Sequence, residues 1–484
     1  MNRKTSAQQG RRKLVRVKLL LLVCILGTAP RLDAQSPTED HLRSVPWARY
    51  QDQAVTLLQE YLRIDTSNPP GNEIAAAEFF HQLFDAAGIP NTIYPYAPGR
   101  ANLYARLKGD GSLRPLILMN HTDVVRAEPA EWRVPPFSGE IVDGEICGRG
   151  AVDMKDEGMI QAMVMLMAAK ERLPLKRDLI FLALADEEDG STGSRWVVEH
   201  QAELVREAEY LITEGGINLT RPDGRAIYGI GVAEKAPLWT RLTASGRGGH
   251  GSMPIADSAP NRLALALARV VKWQRPMRLL PGVEEYFREA ASLEPEPRAT
   301  AFRNIRKSLR NPAFAKEMAA GGRYNFMFRD TISLTRLYAG TQTNVIPSTA
   351  TAELDVRLLP GTDPQEFLKE LRSVVADETV SVEPLRPVRI VNASPTDSTL
   401  YRIIRQTIQA QRPGAVVTPT LNAGLTDSHL FRPLGIHCYG FGPVEMSPEI
   451  EATQHNVNER MSVQQIQQGV RLLYEIVART ANEP

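Results

Sequence analysis

An α/β fold, built on a mixed sheet with helices on both faces and interrupted by a smaller α+β unit, is what this sequence predicts, and three observations carry it. Short continuous apolar runs (Leu116 to Met119, Leu179 to Leu184, Tyr210 to Ile212) alternate with helical segments, the pattern of strands buried on both faces between helix layers. From about residue 233 the runs give way to alternation, as in Leu238, Thr240, Leu242 and Ala244, which marks strands with one wet face. After about residue 393 helical periodicity returns, so the small unit is inserted into the large one.

Taken in order, the chain opens with Arg11, Arg12, Lys13, Arg16 and Lys18 ahead of an apolar stretch, Leu19 to Ala29, and then Leu32-Asp33-Ala34. That is the layout of a secretory signal, residues 1–34, cleaved near Ala34. The stretch falls well short of the ~20 residues a spanning helix needs, so the expectation is export, to a periplasm or the exterior, with no membrane role beyond the signal. Past residue 34 the chain holds 49 basic against 55 acidic side chains, which gives no electrostatic reason to expect nucleic acid. With 43% hydrophobic and 23% charged residues and a mean hydropathy of −0.25, disorder and a multi-pass membrane protein are disfavoured. Three cysteines cannot make a disulfide framework, and whether Cys147 and Cys438 pair stays open.

The first part of the large domain spans 40–232. A helix over 48–63 turns Val55, Leu58 and Leu62 to one face, and a second over 73–87 stops at Gly88-Ile89-Pro90. The segment 156–170 is apolar almost all round, which predicts a buried helix. The inserted domain spans 233–392 and reads β-α-β-β-α-β, a ferredoxin-like order. It runs through a strand at 238–244, a helix at 260–273, strands at 331–338 and 349–358, a helix capped by Asp363, and a strand at Val380 and Val382. The stretch 276–328 reads as an enlargement of this unit. Residues 393–484 complete the large domain.

Candidate functional residues follow the buried strands. Leu116 to Asn120 runs into His121-Thr122-Asp123, Leu179 to Ala185 into Asp186-Glu187-Glu188, and Tyr210 to Thr213 into Glu214-Gly215-Gly216. Ligands of open α/β sheets bind at the carboxyl ends of strands. With Asp153 before the buried helix and His455 before the last one, the set is His121, Asp153, Glu188, Glu214 and His455. Two imidazoles and three carboxylates suit a pair of divalent, zinc-like ions, with one carboxylate bridging and positions left for water. Asp123, two residues beyond His121 on an extended segment, can fix the imidazole. Of the adjacent Glu187 and Glu188, one binds metal and the other can take a proton from water.

In chain order stand Asn120-His121-Thr122-Asp123-Val124-Val125, Pro135-Pro136-Phe137-Ser138-Gly139, Gly148 to Lys155, Asp186-Glu187-Glu188, Glu214-Gly215-Gly216, Gly249-His250-Gly251-Ser252 and His455-Asn456-Val457-Asn458-Glu459. Over about residues 45–480 the chain resembles the dizinc metallopeptidases and amidohydrolases that include aminoacylase, carboxypeptidase G, acetylornithine deacetylase and succinyl-diaminopimelate desuccinylase. Trp132 to Lys155 is most similar to a carboxypeptidase S-like branch. The resemblance implies a zinc-exopeptidase-like catalytic domain holding two Zn2+, or another divalent ion such as Co2+, and an inserted lid and dimerisation domain. His121 and Glu214 would hold one ion, Glu188 and His455 the other, and Asp153 would bridge. Glu187 would be the general base, and Asp123 would hold an imidazole. His250 would stabilise the oxyanion, in many relatives from the partner subunit of a homodimer.

Arg357 lies on the outward face of a strand whose inward face is Ala350, Ala352, Leu354 and Val356. By resemblance Asn344 and Arg357 grip a substrate carboxylate, with Gly424 and Thr426 on another substrate loop. Ala423 and Leu425 depart from the usual glycine pattern there, as Arg126 departs from a common proline. The implied substrate is a small peptide, cleaved as by a carboxypeptidase or dipeptidase, or alternatively an N-acyl amino acid. A relative that binds without catalysing would be expected to lack Glu187 or a ligand, and none is lost here.

Overall fold

The computed structural model describes residues 37–320, 322–387 and 391–484; the expected signal segment, 1–34, lies outside them. In chain order the principal helices are α1 (Trp47–Leu62), α2 (Glu73–Ala86), α3 (Lys155–Lys170), α4 (Ala259–Lys272), α5 (Pro281–Ala290), α6 (Pro364–Val375), α7 (Thr399–Gln411) and α8 (Val463–Thr480). The principal strands are β1 (Asn91–Ala97), β2 (Arg100–Leu107), β3 (Leu113–His121), β4 (Arg177–Leu184), β5 (Tyr210–Thr213), β6 (Ala226–Glu234), β7 (Thr240–Ser245), β8 (Thr331–Ala339), β9 (Thr349–Leu358), β10 (Val380–Pro384), β11 (Val416–Asn422) and β12 (His437–Gly440). No described helix is long and apolar enough to cross a membrane.

The large sheet runs β1-β2-β4-β3-β5-β12-β6-β11, with Asn218–Thr220 paired to β6. Its centre is parallel: β3 pairs β4 and β5, and β5 pairs β12, all in the same direction. Alternate side chains of β3 enter two different cores, Leu116 and Leu118 on one face and Ile117 and Met119 on the other. The continuous apolar runs therefore serve two helix layers at once. Every residue of β4 is buried, as is every residue of α3 from Lys155 to Ala168.

Residues 240–384 form a second, antiparallel sheet in the order β8-β9-β7-β10, with Ala236–Pro237 extending β7's side of β9. This is the ferredoxin-like arrangement. Here α4 and α6 cover one face, and Asp363 caps α6 by accepting from Gln365 N at 2.7 Å and Glu366 N at 3.1 Å.

The stretch 276–328 departs from its sequence reading. It folds as helices whose apolar residues, among them Val283, Phe287, Phe302 and Phe328, join the core of the large sheet and not that of the small one. The reason is local: α5 carries Val283, Phe287 and Ala290 at helical spacing, and β11 of the large sheet offers the facing apolar surface. The segment thus leaves the small domain in sequence yet belongs to the large one by packing. Strands β1 and β2, at one end of the large sheet, were also not foreseen. Among the described cysteines, Cys147 and Cys438 are separate, buried thiols, and burial pushes Cys438 up to about 12.

Phe287 is fully buried and rings Phe302, Tyr324 and Phe328 at centroid distances of 4.9, 5.3 and 5.3 Å. Phe287→Ala should therefore destabilise the large domain by about 3–5 kcal/mol. Denaturant unfolding followed by tryptophan fluorescence measures it, and an unchanged midpoint would reject the packing assignment.

Candidate metal centre and active-site cleft

Parallel pairing brings three strand ends to one edge. His121 is the last residue of β3 and stands in register with Leu184, the last of β4; Thr122 N donates to Leu184 O at 2.8 Å. Glu187 and Glu188 follow β4, and Glu214 follows β5. Gly215 turns away with φ +99, and a Cβ on Gly216 would stand 2.4 Å from the carbonyl oxygen of Gly440. The Glu214-Gly215-Gly216 sequence is thus required where β5 and β12 converge on the site.

The side chains then meet. Asp153 offers one carboxylate oxygen to each imidazole: Oδ1 lies 3.0 Å from His121 Nε2, and Oδ2 lies 3.0 Å from His455 Nε2. His455 Nε2 also stands 3.0 Å from Glu188 Oε1. Ligand atoms of His121, Asp153 and Glu188 all fall within 4.8 Å of one another, and so do those of His121, Glu187 and Glu214. All five sequence-derived ligands and Glu187 therefore occupy one cluster.

Its charge balance shows what it lacks. Among the described residues no lysine or arginine forms an ion pair with Asp153, Glu187, Glu188 or Glu214. Burial, then the charge of Glu214, drives the Glu187 carboxyl well above its ordinary range. Burial and Asp153 do the same to Glu214. Asp153 goes the other way: burial opposes it, but hydrogen bonds from His121 and His455 hold it low. Its hydrogen bonds with Asp153 and Glu188 raise His455 to about 10. Burial would lower His121, yet its bond to Asp153 and the charge of Glu214 leave it raised. An acidic, imidazole-bearing cluster with no lysine or arginine paired to its carboxylates among the described residues is the donor set that a pair of divalent ions fits.

Two further carboxylates hold the loops that carry these ligands. Asp123 was expected to orient His121, and the imidazole is indeed held by this residue, but through its backbone: His121 Nδ1 stands 2.9 Å from Asp123 O and 3.6 Å from Oδ1. The Asp123 carboxylate instead accepts from Glu187 N at 3.0 Å, Glu188 N at 3.1 Å and Asn68 Nδ2 at 2.8 Å. Glu459, four residues past His455, accepts from Arg149 Nη1 at 2.6 Å and from the backbone N–H groups of Gly150, Val152 and Asp153 at 2.8–3.0 Å. It ties the His455 loop to the loop presenting Asp153.

A cleft of about 450 Å³ opens from the cluster. Asp153, Glu187, Glu188, Glu214 and His455 line one end; Pro237, Trp239, Arg357 and Arg386, from the inserted domain, line the other. Of the expected substrate residues, Arg357, Gly424 and Thr426 reach the cleft. Thr426 spends its hydroxyl on Glu234 at 2.5 Å. His250 and Asn344 do not line it; they sit together on an exposed ribbon, where Gly249–His250 pairs Val345–Ile346 and Gly251 N donates to Asn344 O at 2.7 Å. Arg386, Trp239, Asn422 and Gln454 were not found from sequence. Gln454, beside His455, donates to Asp153 Oδ2 at 2.7 Å, and only that adjacency could have marked it.

Glu459→Gln should lower metal affinity by about 10–100-fold, the usual cost of loosening a ligand's support, while circular dichroism stays native. Titration against a competing chelator reads this directly, and wild-type affinity in the variant would reject the clamp.

Residues 117–479 match the model of peptidase family M20/M25/M40. The human N-fatty-acyl-amino acid synthase/hydrolase PM20D1 is 32% identical over 440 residues, covering 86% of each chain. The M20 family metallo-carboxypeptidase Sso-CP2 from Sulfolobus solfataricus shares the fold with a TM-score of 0.66 at 20% identity, covering 89% of this chain and 99% of its own. The Bacillus subtilis YXEP protein, a dinuclear metal binding peptidase from the M20 family, does so with a TM-score of 0.56 at 13% identity, covering 89% and 98%. The chain belongs to peptidase family M20/M25/M40, metal-dependent hydrolases of peptide and acyl-amino-acid bonds.

Proposed function

We propose that this chain hydrolyses the amide bond of an N-acyl amino acid, releasing an amino acid with a free carboxylate, and that it does so as an exported enzyme. The observation that carries the reading is the two-ended cleft: a metal-type cluster at one end and arginines at the other. PM20D1, named for N-fatty-acyl-amino acids, supports the acyl side of the choice. The likeness to Sso-CP2 is one of fold, and it keeps carboxypeptidase or dipeptidase action on small peptides as the second reading. The basic and apolar segment before Ala34 supports export.

In this reading His121 and Glu214 would hold one divalent ion, Glu188 and His455 the other, with Asp153, whose two oxygens face the two imidazoles, shared between them. Two bound zinc-type ions supply Lewis-acid polarisation and a water more acidic than bulk water. Glu187, whose backbone Asp123 fixes, would accept a proton from the attacking water and return it to the leaving amine.

His250 enters from a second subunit. Strand β8 is an edge strand exposed from Ser333 to Ala339, with Leu334, Leu337 and Tyr338 at 40%, 56% and 59% exposure. An exposed apolar edge of this kind invites pairing with its twin, which supports a two-fold homodimer. A dimer also accounts for a histidine on a ribbon that does not line its own cleft.

A substrate panel tests the whole: N-acetyl and long-chain N-acyl amino acids against dipeptides. Turnover of the acyl series is expected, and turnover of dipeptides alone would hand the assignment to the second reading. Glu187→Gln should keep its metal and lose about 10²–10⁴-fold in kcat, whereas Glu188→Gln should lose metal. Elemental analysis beside kinetics separates the two, and the reverse pattern would exchange their roles. His250→Ala mixed with Glu187→Gln should recover part of the activity through mixed dimers. Sedimentation showing a fully active monomer would reject the trans role.

A further inference from the structure

One buried acid beside the ligand cluster is used neither by the expected ligand set nor by the proposed reaction. The buried helix α3 opens on Asp156 and Glu157, two acids at the head of an otherwise apolar segment. Glu157 is 8% exposed, and its Oε2 has no hydrogen-bond partner among the described residues. Lys155, its neighbour in sequence, donates its ammonium elsewhere, to the carbonyl oxygens of Tyr61 and Ile64. The Glu157 carboxyl lies against the backbone of Gly442, where a Cβ would come within 2.9 Å of Glu157 Cδ. Glycine makes the room. Asn218, four residues beyond Glu214, fixes that wall by donating from Nδ2 to Gly442 O and, at 3.2 Å, to Val444 O. The segment that carries Glu214 thus also sets the seat of Glu157. Burying an unpartnered carboxyl is costly, and the first turn of a helix recovers only part of the cost. Burial and the charge of Asp153, offset in part by His121, push Glu157 up to about 8.

Resting on the reading of the cluster as a dinuclear metal centre, we infer that Glu157 is an outer carboxylate of the ion assigned to His121 and Glu214 and raises that ion's affinity. Its oxygens are not among the ligand atoms that gather within 4.8 Å of one another, so it acts from outside the coordination, through its charge. The unpartnered oxygen lacks a counter-charge, and a divalent ion held by His121 and Glu214 would supply it across an interior that screens little. The charges coupled to Glu157 place it on that side: Asp153 and His121 act on it, and Glu214 is among the groups it acts on. The other pair is set differently. His455 is shifted first by Asp153 and Glu188, and Glu188 by burial and then by His455. Asp156 is the internal contrast. It is buried more deeply still, and neither of its oxygens has a partner among the described residues. After burial, the charges it chiefly meets are those of Glu157, Glu459 and Asp153.

The test measures metal binding apart from turnover. Zn2+-loaded enzyme is equilibrated with graded amounts of a competing chelator, and the metal retained is counted by elemental analysis. Glu157→Gln, close to isosteric, should lower the affinity of one of the two ions by about tenfold or more and leave the other within about twofold. Ligand variants identify the ion: the loss should persist in His455→Ala and vanish in His121→Ala. Gly442→Ala, which crowds the carboxyl out of its seat, should repeat the effect, and Asp156→Asn should not. Melting supplies a readout that a merely structural role would not give. With a costly buried acid removed, metal-free Glu157→Gln should melt at or above metal-free wild type. At a limiting free Zn2+ level the order should reverse, because the variant binds the ion less tightly. The inference is overturned if both ions of Glu157→Gln keep wild-type affinity or if the loss falls on the ion of Glu188 and His455. It is equally overturned if Asp156→Asn matches the loss, or if the metal-free variant melts below metal-free wild type. Failure of the functional reading looks different. Wild-type enzyme would then hold two ions, respond to Glu157→Gln as expected here, and hydrolyse neither N-acyl amino acids nor dipeptides. Wild-type protein that takes up no divalent ion would overturn both.

Discussion

Four carboxylates and two imidazoles packed at one edge of a parallel sheet are the constraint on which the rest of this structure depends. Buried carboxylates without counter-charge are costly, and the chain meets that cost only in part: Asp153 is stabilised between His121 and His455, while Glu187 and Glu214 are left with raised proton affinity. A bound pair of divalent ions would complete the balance. The parallel sheet explains why the groups can meet at all, since β3 and β4 end in register at His121 and Leu184 and β5, with Ile212 opposite Leu118, runs out beside them in the same direction. Glycines at 215, 216 and 440 then let the backbones approach closely enough for Glu214 to share the space.

Holding such a cluster requires that loops, not only strands, be rigid, and the same device appears twice. A buried carboxylate gathers the backbone N–H groups of a ligand-bearing loop. Asp123 takes those of Glu187 and Glu188, and Glu459 takes those of Gly150, Val152 and Asp153. Each clamp satisfies donors that would otherwise be stranded away from water. Each also crosses between distant parts of the chain, tying the segment beside one imidazole to a loop that carries carboxylates of the cluster. Behind the Asp123 clamp a second tier continues: Asn68 bridges Asp123 and Asp186, and Arg100 bridges Asp186 and Glu73. Burial, partly offset by Arg149 and by the N–H donors, pushes Glu459 upward. That acid is held for its geometry and not for its titration.

What the sequence disclosed and what it withheld divide along physical lines. The strand-end cluster was legible because an apolar run fixes where a strand stops, and His121, Glu187, Glu188 and Glu214 lie within four residues of such stops. The β-α-β-β-α-β order was legible because alternation and capping are local signals; Asp363 before Pro364 names its helix unaided. Packing partners were not legible. The helices of 281–328 carry an apolar face whatever sheet they cover, so periodicity could not say that it was the large one. Asn68, Arg100 and Arg386 make contacts across 27 to 197 positions of sequence, where spacing carries no information. The carboxylate of Asp123 illustrates the finer limit: its closeness to His121 was readable, but not that the backbone would hold the ring and the side chain would hold the next loop.

The cleft has its two chemical ends on different domains, and this gives the connection between them its importance. The acidic end stands on the large sheet; Trp239, Arg357 and Arg386 stand on the inserted unit. The chain passes between them through Glu234, Lys235 and Ala236, and both charged residues are anchored. Glu234 pairs with Arg432 at 3.2 Å, and Lys235, pushed by burial down to about 7, donates to Arg329 O at 2.7 Å and Thr331 Oγ1 at 2.8 Å. Asp330 reinforces the same region by accepting from Leu359 N and pairing with Arg275. Buried polar anchors of this kind favour a defined setting of one domain on the other, because a partly broken network costs more than an apolar contact of the same size. The distance between metal-type cluster and guanidinium is therefore a property of the domain junction. In the proposed reaction, a substrate whose scissile amide and free carboxylate match that distance would engage both ends at once, and one that does not would have to strain the junction to do so.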